Sequence, residues 1–153
     1  EIQRIMNREE IMTIIPHREP MLLVDESVVE NEVCTSRYTI RENEFFTNGH
    51  FPGYPVVPGV ILCEIMAQGS CRLIPADELR ANTALYGGLN NVRFKGSVFP
   101  GDTVVTTGKI ISRKGPVFVI DAKATVNGSL VCKGELTFML VPNEKLGLVR
   151  NPA

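Results

Sequence analysis

One stretch limits the fold more than any other. It is an apolar run from Val60 to Ile74, entered through a loop crowded with glycine and proline. Gly49, Pro52, Gly53, Pro55, Pro58 and Gly59 restrict or kink the backbone ahead of the run, and Pro75 closes it. Proline is accepted in the first turn of a helix and ends one at its far side. The spacing therefore predicts a helix of about 15 residues, near 22 Å long. Val60, Ile61, Leu62, Ile65, Met66, Ala67, Cys71, Leu73 and Ile74 leave it no wide polar face. Such a helix belongs in a core, and it is too short to span a membrane.

This apolar cylinder carries one acid, Glu64, with Gln68 one turn further on. A glutamate is almost never fully buried unless it is paired or has a task. A carboxyl group in apolar surroundings tends to stay protonated, and can then serve as a general acid. His50 stands at the start of the loop. The ordinary histidine pKa of ~6.5 suits a general base. Taken singly, a helical glutamate usually faces solvent and a lone histidine is usually structural. It is their shared loop–helix unit that favours chemistry.

The flanking sequence reads mostly as strands. Apolar spacing at Ile2, Ile5, Met6, Ile11, Met12 and Ile15 predicts an N-terminal helical segment over residues 1–15, ended by Pro16. Met21–Val29 and Val33–Ile40 read as strands joined by a turn at Glu30-Asn31-Glu32. Ala76–Thr83 is polar, helical or irregular. Ala84–Phe94 reads as a strand whose Gly87-Gly88 pair suggests a bulge or a close approach. Pro100-Gly101-Asp102 is a turn. Val104–Ser112, Val117–Val126 and Leu130–Val141 follow as strands, separated by Lys114-Gly115 and by Asn127-Gly128, a type I′ hairpin signal. Residues 142–153 read as a flexible polar tail. Hairpin-length connections make the last strands antiparallel. One helix that must bury its whole surface then calls for a curved antiparallel sheet wrapped around it, an α+β domain spanning residues 1–153.

Composition excludes several classes. At 153 residues with net charge −1, the chain is one domain without a global basic field for nucleic acid. No signal- or transit-peptide pattern is present, and no segment reads as a membrane span. Cys34, Cys63, Cys71 and Cys132 lack metal-ligand spacing and read as reduced thiols of a cytoplasmic protein.

The run G-H-F-P-G-Y-P-V-V-P-G-V-I-L-C-E-I-M-A-Q, Gly49 to Gln68, resembles the signature of the 3-hydroxyacyl-acyl-carrier-protein dehydratases of fatty acid synthesis. The resemblance extends to P-H-R-E-P-M-L-L-V-D at Pro16–Asp25 and R-F-K-G-S-V-F-P-G-D at Arg93–Asp102, and so covers most of the chain. It implies the hotdog fold. It also implies dehydration of a (3R)-3-hydroxyacyl group to a trans-2-enoyl group on acyl carrier protein, with no metal or organic cofactor. His50 would be the base and Glu64 the acid. The Gly59 amide would polarise the thioester carbonyl, with Val60, Gln68, Tyr54 and Phe51 completing the substrate-binding set. The family shares each site across a homodimer, His50 from one subunit and Glu64 from the other, and often forms a homohexamer as a trimer of dimers.

Other implications are weaker. Glu64 favours the dehydratase-only branch over enzymes that also isomerise the double bond, which usually carry Asp there. Gln68 orients the Glu64 carboxyl from i+4 or is merely a polar spot at the helix end. His17, outside the loop–helix unit, reads as structural. Glu19 departs from the family, where an aromatic commonly follows the P-H-R. Ile61, Ile65, Met66 and Phe94 would line an acyl tunnel or simply be core. Arg93 and Lys95 are candidates for docking an acidic carrier protein, or ordinary solvated charges. The competing functions are a hotdog thioesterase, a coenzyme A hydratase, or an idle hotdog scaffold that binds acyl chains or carrier protein.

Overall fold

The computed structural model describes residues 4–148. The chain opens with β1 (Met6–Asn7), α1 (Arg8–Ile11), β2 (Glu26–Glu30) and β3 (Val33–Thr39). A long loop leads to α2 (Gly59–Gly69), a 3-10 turn (Cys71–Leu73) and α3 (Ala76–Ala81). The remainder is β4 (Asn82–Phe94), β5 (Thr103–Lys114), β6 (Val117–Val126), β7 (Ser129–Pro142) and a final 3-10 turn (Asn143–Leu146). The strands form one sheet in the order β1-β2-β3-β5-β6-β7-β4, and every neighbouring pair is antiparallel. This is the hotdog arrangement.

Turn chemistry sets the sheet register. Asn127 (φ 51°) and Gly128 (φ 80°) both take the left-handed conformation that a type I′ turn requires. Asn31 and Glu32 do the same between β2 and β3. The Gly87-Gly88 pair lies at a register shift in the β4–β7 ladder, as the paired glycines suggested.

α2 lies against the sheet through Leu62, Ile65 and Met66, which share a core with Val104, Ile120, Ala122 and Leu136. A second core, around Ile11, Leu22, Val24, Cys71, Ile74, Leu79, Phe118 and Leu140, seals the far end. The helix is shorter than its apolar run because its end is pinned. The Gly69 carbonyl accepts hydrogen bonds from Ser36 Oγ (2.5 Å) and Cys34 Sγ (3.2 Å) instead of continuing the ladder. Ser70 Oγ turns back to the Met66 carbonyl, and Leu73 N–H bonds to the Ser70 carbonyl in 3-10 fashion.

Three other expectations change. The N-terminal helix spans only Arg8–Ile11, because Asn7 caps it in a capping box with Glu10; residues 1–3 lie outside the described residues. The strand expected from Met21 is β2, which begins only at Glu26. The Leu23 N–H and Met21 carbonyl are taken instead by the two ends of the Gln68 amide, at 2.7 and 2.8 Å. The segment after Pro142 is held at its start. Asn143 is buried, accepts from Thr83 Oγ1 and donates to the Arg80 carbonyl. Residues 149–153 lie outside the described residues.

Helix and sheet approach so closely that a Cβ on Gly108 would stand 2.5 Å from Ser70 Oγ and 3.3 Å from Ile120 Cγ2. Gly108→Ala is expected to cost about 1–3 kcal/mol of stability in urea unfolding, as overpacking does. Adding Ser70→Gly should return part of that loss; full additivity of the two changes would show that they do not meet.

Candidate active site

Glu64 and Gln68 lie one turn apart on α2, so their side chains stack on the same face. Gln68 Nε2 donates to Glu64 Oε2 at 2.8 Å. His17, arriving from the segment ahead of β2, brings Nε2 to 3.4 Å from the same oxygen. His17, expected to be structural and outside the loop–helix unit, thus lies beside Glu64. These three residues form one end of a cavity of about 260 Å³, otherwise walled mainly by apolar side chains such as Ile74, Leu79, Leu85, Ile120 and Phe138. Tyr86, whose hydroxyl donates to the Cys63 carbonyl at 3.0 Å, stands on its β4 wall. Burial and the nearby Glu64 charge push the Tyr86 phenol well above its ordinary value, so it remains a donor.

The cavity wall differs from the expected tunnel lining. Ile65 and Met66 are core residues with 1% and 0% exposure. Ile61 packs at the core margin. Phe94 is exposed and lies against the start of α2, where a Cβ on Gly59 would come within 2.8 Å of its ring. The cavity is instead lined from α2 by Glu64, Ala67 and Gln68, and reaches α3 and β4. Glu19 is exposed and pairs with Arg8 (3.2 Å), away from the cavity.

His50 sits in the glycine–proline loop. Gly49 (φ 86°) and Gly53 (φ 76°) turn the backbone where a side chain would be strained. The loop is closed by paired bonds between Phe51 and Tyr54 (2.8 Å each) and anchored by Val57 N–H to the Val98 carbonyl. His50 Nδ1 lies 3.0 Å from the Val56 carbonyl. A carbonyl can only accept, so Nδ1 carries the hydrogen and Nε2 presents a free lone pair. The Phe51 ring stacks on the imidazole at 4.6 Å, and Tyr54 meets Phe99 edge-on. Phe51, Tyr54 and Val60 are exposed, and none of them lines the Glu64 cavity; nor does His50. At the start of α2 no side chain caps the helix, so the Gly59 and Val60 amides point outward with the positive end of the dipole.

The loop ahead of His50 is held by a polar network, buried at Tyr38 and Glu44 and exposed at Arg41, that sequence reading missed. Tyr38 Oη donates to Glu44 Oε2 at 2.5 Å, and the Arg41 backbone N–H donates to the same oxygen. Arg41 stacks over the Tyr38 ring at 4.7 Å and donates to both oxygens of Asp25 (2.9 and 2.8 Å). Burial and the Glu44 carboxylate push the Tyr38 phenol far above its ordinary value.

Comparison with known proteins decides the family. A family model described as FabA-like domain matches residues 15–135. The chain is 44% identical over 138 residues to a 3-hydroxyacyl-acyl-carrier-protein dehydratase FabZ of Lactococcus lactis subsp. cremoris, covering 88% of this chain and 95% of that protein. The chain belongs to the FabZ dehydratase family. A Staphylococcus epidermidis FabZ is 41% identical over 142 residues, covering 91% of this chain and 98% of its own length. Among solved structures, the dehydratase heterocomplex ApeI:P from Xenorhabdus doucetiae superposes with a TM-score of 0.74 at 16% identity. That match covers 89% of this chain and 93% of that one, and it shows a shared fold.

The loop network also predicts how stability depends on pH. Burial opposes ionisation of Asp25, but the bonds from Arg41 and the Thr39 N–H outweigh it and hold the carboxyl below its ordinary value. A depressed carboxyl contributes stability above the unfolded-state pKa of ~4 and loses it as pH falls through the folded value. Urea unfolding from pH 7 to pH 2.5 should therefore show a loss of stability, part of which Asp25→Asn removes. An unchanged pH profile in Asp25→Asn would remove the network from this role.

Proposed function

We propose that this chain dehydrates 3-hydroxyacyl groups carried on acyl carrier protein in fatty acid biosynthesis, forming trans-2-enoyl groups. The observation that carries the reading is Glu64: a hydrogen-bonded carboxyl at the end of an apolar cavity, within a chain of the FabZ family. His50 Nε2 takes the hydrogen from C2 as a proton. The electron pair of that bond becomes the C2=C3 double bond, and the C3–O bond breaks. Glu64 gives its proton to the departing oxygen, which leaves as water. The Gly59 amide, with Val60 beside it, donates to the thioester oxygen while negative charge gathers there. Gln68 orients the Glu64 carboxyl, and Phe51 and Tyr54 border the acyl thioester on the loop.

His50 and Glu64 act together across a homodimer in this reading. Within one chain His50 stands outside the Glu64 cavity, which supports a second copy as its source. β4 supplies a fitting surface. Among the described residues it is an edge strand with β7 as its one neighbour in the sheet, so its other edge is open to a second copy. Leu85, Leu89 and Phe94 on it are exposed, as is Val60 nearby. Sheet-to-sheet pairing of two β4 edges would cover them, and three such dimers would form the hexamer. Cys34, Cys63, Cys71 and Cys132 are free, which suits a reducing compartment, and we place the protein in the cytoplasm. No described helix is long and apolar enough to cross a membrane.

The carrier protein delivers its substrate as an acidic partner. Arg93 lies opposite Lys133, which lies opposite Lys123, so three cations share a row across β4, β7 and β6. Like charges set directly opposite are unfavourable, and an acidic partner relieves them. Asp121 and Glu135, a neighbouring cross-strand pair, soften the row without removing it. Lys95 extends it just beyond β4.

The reading is tested by turnover of a (3R)-3-hydroxyacyl carrier-protein thioester, followed by enoyl absorbance and product mass. His50→Ala and Glu64→Gln should each lose at least ~10³-fold in kcat while keeping the fold. Near wild-type rates in either variant would end that residue's assignment. Mixing and reassembling the two inactive variants should restore about a quarter of wild-type activity if sites are shared, since half the dimers then hold one intact site. No recovery in confirmed mixed dimers would place both residues in one subunit. Arg93→Glu combined with Lys95→Glu should raise KM at least ~10-fold for carrier-bound substrate and leave a small thioester mimic unaffected. Equal effects on both substrates would remove the docking role.

A further inference from the structure

His17 has no part in the chemistry above, yet it meets the carboxyl on which that chemistry depends. We infer that His17 is a positioning residue for Glu64: with Gln68 it holds Oε2 as an acceptor, which leaves the transferable proton on Oε1. This role rests on Glu64 being the acid, as proposed.

Gln68 sets the donor pattern. Its Oε1 accepts the Leu23 N–H at 2.7 Å; a backbone N–H can only donate, so the other end of the amide is the NH2 group. That group donates to the Met21 carbonyl and to Glu64 Oε2, each at 2.8 Å. Oε2 is therefore an acceptor. The His17 tautomer follows from its other nitrogen. Nδ1 is buried and has no hydrogen-bond partner among the described residues. A hydrogen on Nδ1 would bury an orphaned donor and turn the Nε2 lone pair against Oε2. A hydrogen on Nε2 leaves only an unfilled acceptor and points a second donor at Oε2. Orphaned buried N–H groups are the rarer and costlier case, which selects the Nε2–H form. With two donors converging on Oε2, the acid proton resides on Oε1. When that proton departs with the hydroxyl oxygen of the substrate, the new carboxylate meets the Gln68 N–H already bonded to Oε2 and the His17 N–H 3.4 Å away, and its charge strengthens its attraction to both. His17 keeps its own proton throughout.

The titratable groups around this cluster come from three elements. Cys71 on the 3-10 turn and Tyr86 on β4 are pushed by burial far above the neutral range. Cys63 neighbours Glu64 on α2, and its thiol is drawn down to about 7 by hydrogen bonding with Cys132. Its own titration is removed from the pH profile by Cys63→Ala.

The experiment measures kcat and KM against pH for His17→Leu and His17→Gln, with Glu64→Gln as reference, in wild-type and Cys63→Ala backgrounds. His17→Leu should lower kcat about 10-fold with KM within about 2-fold, the scale of one lost polar contact to a charged group. It should also move the alkaline limb of kcat to higher pH, because a carboxylate that loses a donor ionises less readily. His17→Gln, whose amide can donate from a similar reach, should restore most of kcat and return the limb. Should the leucine variant not fold, His17→Asn serves in its place, with the same loss and the same shift expected. A kcat limb that stays put, or a glutamine variant no better than leucine, would reduce His17 to packing. If Glu64→Gln keeps wild-type turnover, the acid assignment itself fails. If Glu64→Gln is inactive while His17→Leu matches wild type, only the role of His17 fails.

Discussion

The side-chain amide of Gln68 is the interaction on which the rest depends. It is 2% exposed and makes three hydrogen bonds, to Leu23, Met21 and Glu64. Two of them satisfy backbone groups that would otherwise be buried without partners, a cost of about 1–3 kcal/mol each. The third reaches the carboxyl. Packing and chemistry are thus joined in one side chain: the contacts that seat the segment ahead of β2 on the helix also fix the rotamer of Glu64. An apolar residue of the same volume at this position would disturb both.

The loop bearing His50 is held by other means. It has few apolar anchors, chiefly Phe46 and Val57, and relies on charge and hydrogen bonds for its geometry. The Tyr38–Glu44 bond and the Arg41–Asp25 pair clamp the loop where it leaves β3. The Val57–Val98 bond clamps it where it enters α2. Between these points the glycines make the turns. Glu64 and His50 therefore rest on unlike supports, one packed into a helix and the other strung between two polar anchors.

Much of this was legible in the sequence, for identifiable reasons. Local rules located the hairpins at Asn127-Gly128 and Asn31-Glu32, the β4 bulge, and the start of α2 after Pro58, because each depends on residues close together in the chain. The end of α2 was not legible. Apolar periodicity continues to Ile74, while the helix stops at Gly69 because Ser36 and Cys34, more than 30 residues away in sequence, capture its carbonyl. Met21–Asp25 looked like strand for a related reason. Its composition is that of a strand, but a side chain on the helix takes the bonds that a neighbouring strand would have made. His17 was missed because no periodicity links it to Glu64, 47 positions later; only the path of the chain brings them together. The P-H-R-E-P motif was the available signal, since it ends in the short segment that Gln68 seats.

The way Met21 and Leu23 are bonded has a mechanical result. Gln68 ties both residues to α2, while Leu22 packs with Phe118 and Leu140 of the sheet and Leu23 with Val104 and Ile120. The strip from Pro16 to Leu23 is a wedge gripped from both sides, so the spacing between His17 and Glu64 is fixed by helix and sheet together.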